Sequence, residues 1–354
     1  MTSPVKVAIV GASGYSGEEL TRLLLAHPGV ELTAITSRQY AGQTLAQTFG
    51  RFSLYPRSKS LRFTEPKADL LAKQAQIVFL ALPHGVAAEF AVPLLDQGCQ
   101  VIDLSADFRL KSPEIYKEYY GHDHPAPALL AKSVYGLPEI HRAHIKSATL
   151  IASPGCYPTS ILLPLLPLIK SNLIKPDGII ADSASGVTGA GRKVEQDYLF
   201  AECNESMRAY SVPKHRHLSE IEEQLTLATS KSVVIQFTPH LMPVNRGILT
   251  TLYLAPAAPF ATAEEMASVN TKIGDAFRLA YSSEPFVRIL DGKALPDTKN
   301  VVGTNVIEIA WRLDLRTGRL IVLSAIDNVV KGASGQAVQS MNIMAGLPET
   351  AGLI

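Results

Sequence analysis

Val5-Lys6-Val7-Ala8-Ile9-Val10-Gly11-Ala12-Ser13-Gly14-Tyr15-Ser16-Gly17 is the stretch whose reading decides the fold. Its first six residues are apolar and largely β-branched apart from Lys6 and Ala8, which reads as a strand buried on both faces in a parallel sheet. The glycines, spaced G-x-x-G-x-x-G, lead into residues 15–26, where Leu20, Leu23 and Leu24 recur at helical spacing. His27, Pro28 and Gly29 stop that helix before a second apolar strand at 32–36. Strand, glycine turn, helix and strand in this order open a doubly wound α/β domain. Two readings of the loop stand: a cradle that admits a dinucleotide pyrophosphate to helix N–H groups, or a tight strand-to-helix turn. The placement favours the cradle. After the second strand, where a cofactor lacking a 2′-phosphate meets an acidic residue, the chain offers Ser37 and Arg38, a hydroxyl and a guanidinium suited to phosphate. NADP is therefore expected over NAD, the alternative being that Arg38 is an ordinary solvated arginine.

Outward from this unit, short apolar runs at 77–82, 101–104 and 150–152 alternate with helical pattern such as 86–95, extending the same domain. Past residue 156 the strand candidates lengthen, at 233–238, 247–254, 306–313 and 320–326, with helical pattern at 263–277, as in an α+β domain on an antiparallel or mixed sheet. Helical spacing at 330–344 follows the last strand without a flexible linker. The expected division is residues 1–155 plus 330–354 as the cofactor-binding domain and 156–329 as the catalytic domain.

The chain has 354 residues, and 33 Lys+Arg against 32 Asp+Glu leave a formal charge of +1. That balance points away from nucleic acid or an anionic membrane and toward a small-molecule partner. The apolar run after Lys6 ends at Gly11, too short for a secretory signal, so the expected location is cytoplasmic. The greasiest stretch, 161–169, is interrupted by Pro164 and Pro167 and falls short of the roughly 20 residues that span a bilayer. The three cysteines are widely separated and lack the paired spacing of a metal or redox motif, so no metal is expected.

Ser153-Pro154-Gly155-Cys156-Tyr157-Pro158-Thr159 follows an apolar strand and precedes the run at 161–169, and Pro158 suits a first helical turn. Cys156 is thus placed at a helix start, a position that lowers a thiol's pKa and offers N–H groups to a developing oxyanion. Cys99 and Cys203 read as core residues. Lys214-His215-Arg216-His217 gathers basic groups ahead of helical pattern at 218–225, and His217 is a candidate acid and base, although either histidine could only cap the helix. The acidic motif at 103–108 has a structural alternative, a buried carboxylate satisfying loop N–H groups. The glycine loop at 185–192, followed by Lys193, reads as an anion site or a turn.

These segments together carry a resemblance. Gly11 to Gly17, Asp103-Leu-Ser-Ala-Asp-Phe-Arg109, Tyr135-Gly-Leu-Pro-Glu139, Pro154-Gly-Cys-Tyr-Pro-Thr159, Ser185-Gly-Val-Thr-Gly-Ala-Gly-Arg192, His215-Arg-His217, Pro239-His-Leu-Met-Pro243, Gly303-Thr-Asn305, Ile326-Asp-Asn-Val-Val-Lys-Gly332 and Gly335-Gln-Ala-Val-Gln339 are similar, in order, to the N-acetyl-γ-glutamyl-phosphate reductase family. Ser153, where Asn is common, and Ser183-Ala-Ser185, where a lysine is frequent, depart from it.

The resemblance implies an α/β chain: a Rossmann-like dinucleotide-binding domain plus an α+β substrate and dimerisation domain of the glyceraldehyde-phosphate dehydrogenase type. It implies an NADPH-dependent reduction of an acyl phosphate to an aldehyde in the arginine pathway, with a Cys156 thioester and His217 as acid and base, in a homo-oligomer. Pro83, Gly186 and Asn328 join Gly11 to Gly17, Ser37 and Arg38 as expected cofactor contacts; Arg109, Arg192, His215 and Arg246 are expected at the substrate. Rival readings are an aspartyl or a carrier-bound aminoadipyl phosphate reductase, a thiol acyltransferase that uses no hydride, and an NADP-binding redox sensor without turnover.

Overall fold

A computed structural model describes residues 3–354. The chain forms two compact units, one running to Gly155 and taking in Ala333–Ile354, the other Cys156–Gly332.

The first unit is built on β1 (Val5–Val10), β2 (Val30–Thr36), β3 (Phe63–Thr64), β4 (Ile77–Leu80), β5 (Gln100–Asp103), β6 (Val134–Tyr135) and β7 (Leu150–Ala152). They lie in the order β3-β2-β1-β4-β5-β7-β6, every pairing parallel. Alternate residues feed two apolar clusters: Val7, Ile9, Ile77 and Phe79 enter one, Ala8, Val10, Val78 and Leu80 the other. Burial on both faces explains the unbroken apolar runs of the sequence. Chain order reverses between β1 and β4, and in a doubly wound sheet such a switch point opens the ligand crevice.

The second unit carries β8 (Ile179–Gly186), β9 (Arg208–Ala209), β10 (Ile235–Met242), β11 (Ile248–Leu254), β12 (Val287–Ile289), β13 (Ile307–Asp314) and β14 (Arg319–Ile326). The order is β12-β13-β14-β11-β8-β10-β9, and the sheet is mixed: β8 with β10 and β12 with β13 run parallel, the other pairs antiparallel. The helix Cys156–Lys170 packs on β11 and β14, and all of Tyr157 to Ile169 is buried.

Pro164 and Pro167 do not break this helix. Each lacks an N–H and so leaves the carbonyl four residues earlier without its helical donor. Ser324 Oγ donates to the Ser160 carbonyl at 2.7 Å and Tyr281 Oη to the Leu163 carbonyl at 2.6 Å, replacing both bonds. Below the helix the Ser160, Thr250 and Ser183 hydroxyls join at 2.8 Å each. Among the described residues no helix is long and apolar enough to cross a membrane.

Candidate active site

In the first unit, Gly11 lies at φ +83°, and a Cβ there would come 2.3 Å from the Ala81 carbonyl oxygen just past β4. A Cβ on Gly17 would come 2.2 Å from the Gly11 carbonyl oxygen and 2.7 Å from the Ala12 Cα. These two glycines are therefore demanded by close packing at the switch point. Gly14 differs. It is the N-cap of the helix Tyr15–Leu25, supplies no capping side chain, and a Cβ there would meet only the Gly11 carbonyl oxygen at 3.8 Å. The N-cap thus puts no side chain of its own over the first turn, as suits a pyrophosphate at a helix start.

The loop is held by Ala12 N donating to the Thr36 carbonyl (3.0 Å), by a Ser13 to Ser37 hydroxyl contact (3.0 Å) and by Ser334 Oγ donating to the Ser16 carbonyl (2.9 Å). Ser37 is buried, and Arg38 beside it and Pro83 beyond β4 are exposed. The loop after β4 is pinned from below: the buried Asp107 carboxylate accepts from Gly85 N (2.7 Å), Ala87 N (3.0 Å) and Tyr116 Oη (3.1 Å). Asp103 accepts from Ser105 N and Oγ, and burial first, then the charge of Asp107, pushes its carboxyl up to about 7. The structural alternative for this motif is the arrangement found.

Arg109 does not present its guanidinium to an open surface. Its Nε donates to the Ser153 carbonyl (2.7 Å) and an Nη to the Leu104 carbonyl (3.0 Å), and the residue is 5% exposed. The side chain expected at a substrate anion braces the strand ends, donating to two carbonyls there.

In the second unit, Cys156 is the first residue of its helix and half-buried, whereas Cys99 and Cys203 are buried. A Cβ on Gly332 would approach the Cys156 Cβ to 2.7 Å, so only glycine lets the turn that begins at Asp327 pass behind the thiol. Tyr157, next to the thiol, has its ring 5.6 Å from His215 and 6.0 Å from His217.

His215 and His217 stand differently. His215 is the N-cap of the helix Arg216–Thr229, and its Nδ1 accepts from His217 N at 3.1 Å. Burial, and then the charge of Arg216, push its imidazolium down to about 4. A neutral ring with Nδ1 already accepting caps the helix, the alternative that the sequence left open for either histidine. His217, half-buried in the first helical turn, stays the candidate acid and base.

Arg246 Nη1 lies 3.5 Å from Asp327 Oδ2. Asp327 is fully buried and also accepts from Val329 N, Val330 N and Gly303 N. Asn328 Oδ1 accepts from Gly247 N (2.8 Å) and its Nδ2 donates to Thr188 Oγ1 (3.0 Å). A Cβ on Gly186 would come 2.8 Å from the main chain of Asn245 and Arg246. Gly186 and Asn328, expected at the cofactor, thus tie three loops of this unit together. Arg192 is exposed. Nothing in the sequence marked Tyr210, whose Oη donates to Tyr157 Oη at 2.9 Å. Asp107 and Asp327 sit inside motifs already noticed but carry roles visible only once their donors are seen.

Residues 6–148 match the family model "semialdehyde dehydrogenase, NAD binding domain" and residues 156–328 the model "semialdehyde dehydrogenase, dimerisation domain". The N-acetyl-gamma-glutamyl-phosphate reductase of Akkermansia muciniphila is 54% identical over 351 residues, covering 99% of this chain and 98% of that protein. The reductase of the same name from Geobacter sulfurreducens is 49% identical over 354 residues, 99% and 98% of the two chains. Among solved structures, aspartate semialdehyde dehydrogenase II of Vibrio cholerae superposes with a TM-score of 0.72 at 16% identity, covering 98% of this chain and 99% of that one. The aspartate semialdehyde dehydrogenase of Candida albicans, solved with NADP, gives 0.68 at 16% identity over 97% and 99%. At such identities the structures attest the fold, a Rossmann-like domain joined to an α+β domain, while the full-length relatives attest the family: this chain belongs to the N-acetyl-γ-glutamyl-phosphate reductases, among the semialdehyde dehydrogenases.

Proposed function

We propose that this protein reduces N-acetyl-γ-glutamyl phosphate to N-acetylglutamate semialdehyde and phosphate at the expense of NADPH, in arginine biosynthesis. The observation that carries the reading is Cys156: a half-buried thiol at the first position of a 15-residue helix, in a chain whose other cysteines are buried. The unit ending at Gly155 holds the cofactor and the unit from Cys156 carries the chemistry. Gly11 to Gly17 take the pyrophosphate, and Ser37 with Arg38 take the 2′-phosphate. Pro83 borders the same site.

The Cys156 thiolate attacks the γ-carbonyl carbon. A carbon–sulfur bond forms, the bond to the phosphate oxygen breaks, and phosphate leaves. When bound, NADPH supplies the hydride that reduces the acyl carbon. His217 lends a proton to the oxygen on which charge develops and takes it back as the carbon–sulfur bond breaks, returning the thiolate and releasing the aldehyde. Arg246, held against Asp327, meets the substrate α-carboxylate, and the exposed Arg192 meets phosphate. The acetamide of the substrate is neutral and needs hydrogen-bonding groups, whereas an unacetylated amino acid brings an ammonium that wants an acid. The protein acts as a homo-oligomer through its dimerisation domain.

The test is oxidation of N-acetylglutamate semialdehyde with phosphate and either NADP or NAD. NADP should be preferred and Arg38→Ala should erase the preference; kcat/KM for the acetylated aldehyde should far exceed that for aspartate semialdehyde. A ratio near one between the two aldehydes overturns the substrate, and equal use of both cofactors overturns the role of Arg38.

A further inference from the structure

We infer that His215 is a positioning residue, one that never meets the reacting atoms but fixes His217 and ties the helix carrying it to the helix that Cys156 opens. The inference rests on the reading of His217 as the proton carrier.

Helix N-caps are ordinarily Ser, Thr, Asp or Asn, short side chains whose oxygen reaches the second or third N–H of the helix. At the start of Arg216–Thr229 an imidazole does this, with Nδ1 accepting from His217 N at 3.1 Å. A ring is a bulky way to make one hydrogen bond, and its remaining edges show what else it does. The rings of Tyr157, Tyr210 and Phe237 stand 5.6, 5.6 and 5.5 Å from it at 87°, 74° and 86°, and His217 lies 4.9 Å away at 64°. These are edge-to-face distances and angles, each favourable and each directional.

The box is itself anchored. Tyr157 occupies the second position of the thiol helix, Phe237 belongs to β10, and Tyr157 and Phe237 are 5.1 Å apart. Tyr210 Oη donates to Tyr157 Oη, Tyr157 Oη to the His240 carbonyl, and Tyr210 N to the Pro239 carbonyl. One ring thus touches the main chain of His217, the side chain of His217 and the residue after Cys156. Enclosure among these rings also keeps the imidazole neutral, so that Nδ1 remains an acceptor. Misplacing a catalytic group by about 1 Å costs about 10²-fold in rate, which sets the effect to look for.

The experiment compares His215→Ala, His215→Asn and His215→Phe in the full chain. Two quantities are read: steady-state kinetics with the semialdehyde, NADP and phosphate, and hydrogen exchange at the His217 amide without substrate. Alanine removes cap and ring, asparagine restores an acceptor at the cap, and phenylalanine refills the box without an acceptor. The expected result is a fall of about 10²-fold in kcat for His215→Ala with the KM for NADP unchanged. Its His217 amide should lose protection, and His215→Asn should recover protection and most of the rate. His215→Phe, which refills the packing, carries the comparison should the alanine variant not fold, and it should exchange at His217 as fast as an uncapped helix. The inference is overturned if kcat of His215→Ala stays within about twofold of the parent, or if exchange at His217 is the same in all chains. It is equally overturned if His215→Asn restores protection and His215→Phe refills the box yet both are as slow as His215→Ala, since neither the cap nor the packing would then account for the rate. A parent protein that does not turn over the semialdehyde refutes the proposed reaction, and the exchange measurement still decides the cap.

Discussion

In the first unit, large apolar side chains cover both faces of the parallel sheet: Val7, Ile9 and Phe79 on one side, Val10, Val78 and Leu80 on the other. Under the thiol helix of the second unit, the sheet presents Ser183, Thr250 and Ser324, all buried and all hydrogen-bonded. The difference teaches where precision comes from. A greasy interface tolerates small shifts, because dispersion and apolar burial are non-directional. Hydroxyls that must meet one another, or one carbonyl each, fix a helix at a single height and rotation. The unit proposed to hold a cofactor through main-chain groups uses the first kind of interface; the unit bearing Cys156 uses the second.

Removing the thiol gives the largest effect expected. Cys156→Ser should lower turnover at least about 10³-fold while NADPH binding, followed by fluorescence, stays close to that of the parent, because only the second unit's chemistry is touched. Retained turnover defeats the covalent route. His217→Asn comes next, with kcat lower by about 10² to 10⁴-fold at unchanged cofactor affinity. A smaller loss than that of His215→Ala would exchange the roles of the two histidines.

Gly17→Ala tests the other side of the comparison. Its Cβ would run into the Gly11 carbonyl and the Ala12 Cα, both main chain, so neither neighbour can swing away. Destabilisation of about 1–3 kcal/mol and weaker NADPH binding are expected, with iodoacetamide modification of Cys156 as fast as in the parent. Unchanged cofactor affinity in the folded variant would remove the loop from the cofactor site.

Ser324→Ala strips the Ser160 carbonyl of its replacement donor, and Tyr281→Phe does the same to Leu163. Each should cost about 1–3 kcal/mol by denaturant titration, the range for a buried carbonyl left unsatisfied. An Ile→Val change in the first unit's clusters removes one methylene and should cost about 0.5–1.5 kcal/mol. Equal sensitivity would erase the contrast between the two interfaces.

A further effect follows pH. Asp103 titrates near 7 in the folded chain against 3.8 when exposed, so between those values the folded state holds a proton that the unfolded state lacks. A carboxyl raised in this way contributes stability that is present below the lower value and lost as pH rises through about 7. Asp103→Asn should therefore gain on the parent in urea midpoint as pH rises from about 5 to 8, and a pH-independent difference would show that Asp103 is not strained.

The same contrast governs what could be read in the sequence. The first unit announced itself because strands buried on both faces are written in Val, Ile and Leu, and because glycines at a switch point have no substitute. The strand candidates at 247–254, 306–313 and 320–326 lie within a residue of β11, β13 and β14 at either end. β8 went unread, although it lies inside its sheet between β11 and β10, since its buried positions after Ile179 are Ala181, Ser183, Ser185 and Gly186, too small and polar to show an apolar alternation. The helix start at Cys156 was legible, but its continuation through Pro164 and Pro167 was not, because the groups that repair it, Ser324 and Tyr281, lie more than a hundred residues away. At the candidate site, the cysteine and the histidine pair stood out by residue type. The commitments of Arg109, Asn328 and His215 did not, because a side chain's partner is set by tertiary approach.

Cys156 and Gly332, the first and last residues of the second unit, touch, a Cβ on Gly332 falling 2.7 Å from that of Cys156. The second unit is therefore a closed excursion whose entry and exit share one spot, the geometry of an inserted module. A few flexible residues joining Gly155 to Ala333 would suffice to leave the first unit as an independent chain, and the excised module would accept circular permutation with new ends in an exposed loop. Glycine at position 332 is then the residue that makes the insertion possible, by letting the outgoing chain pass flush against the incoming one.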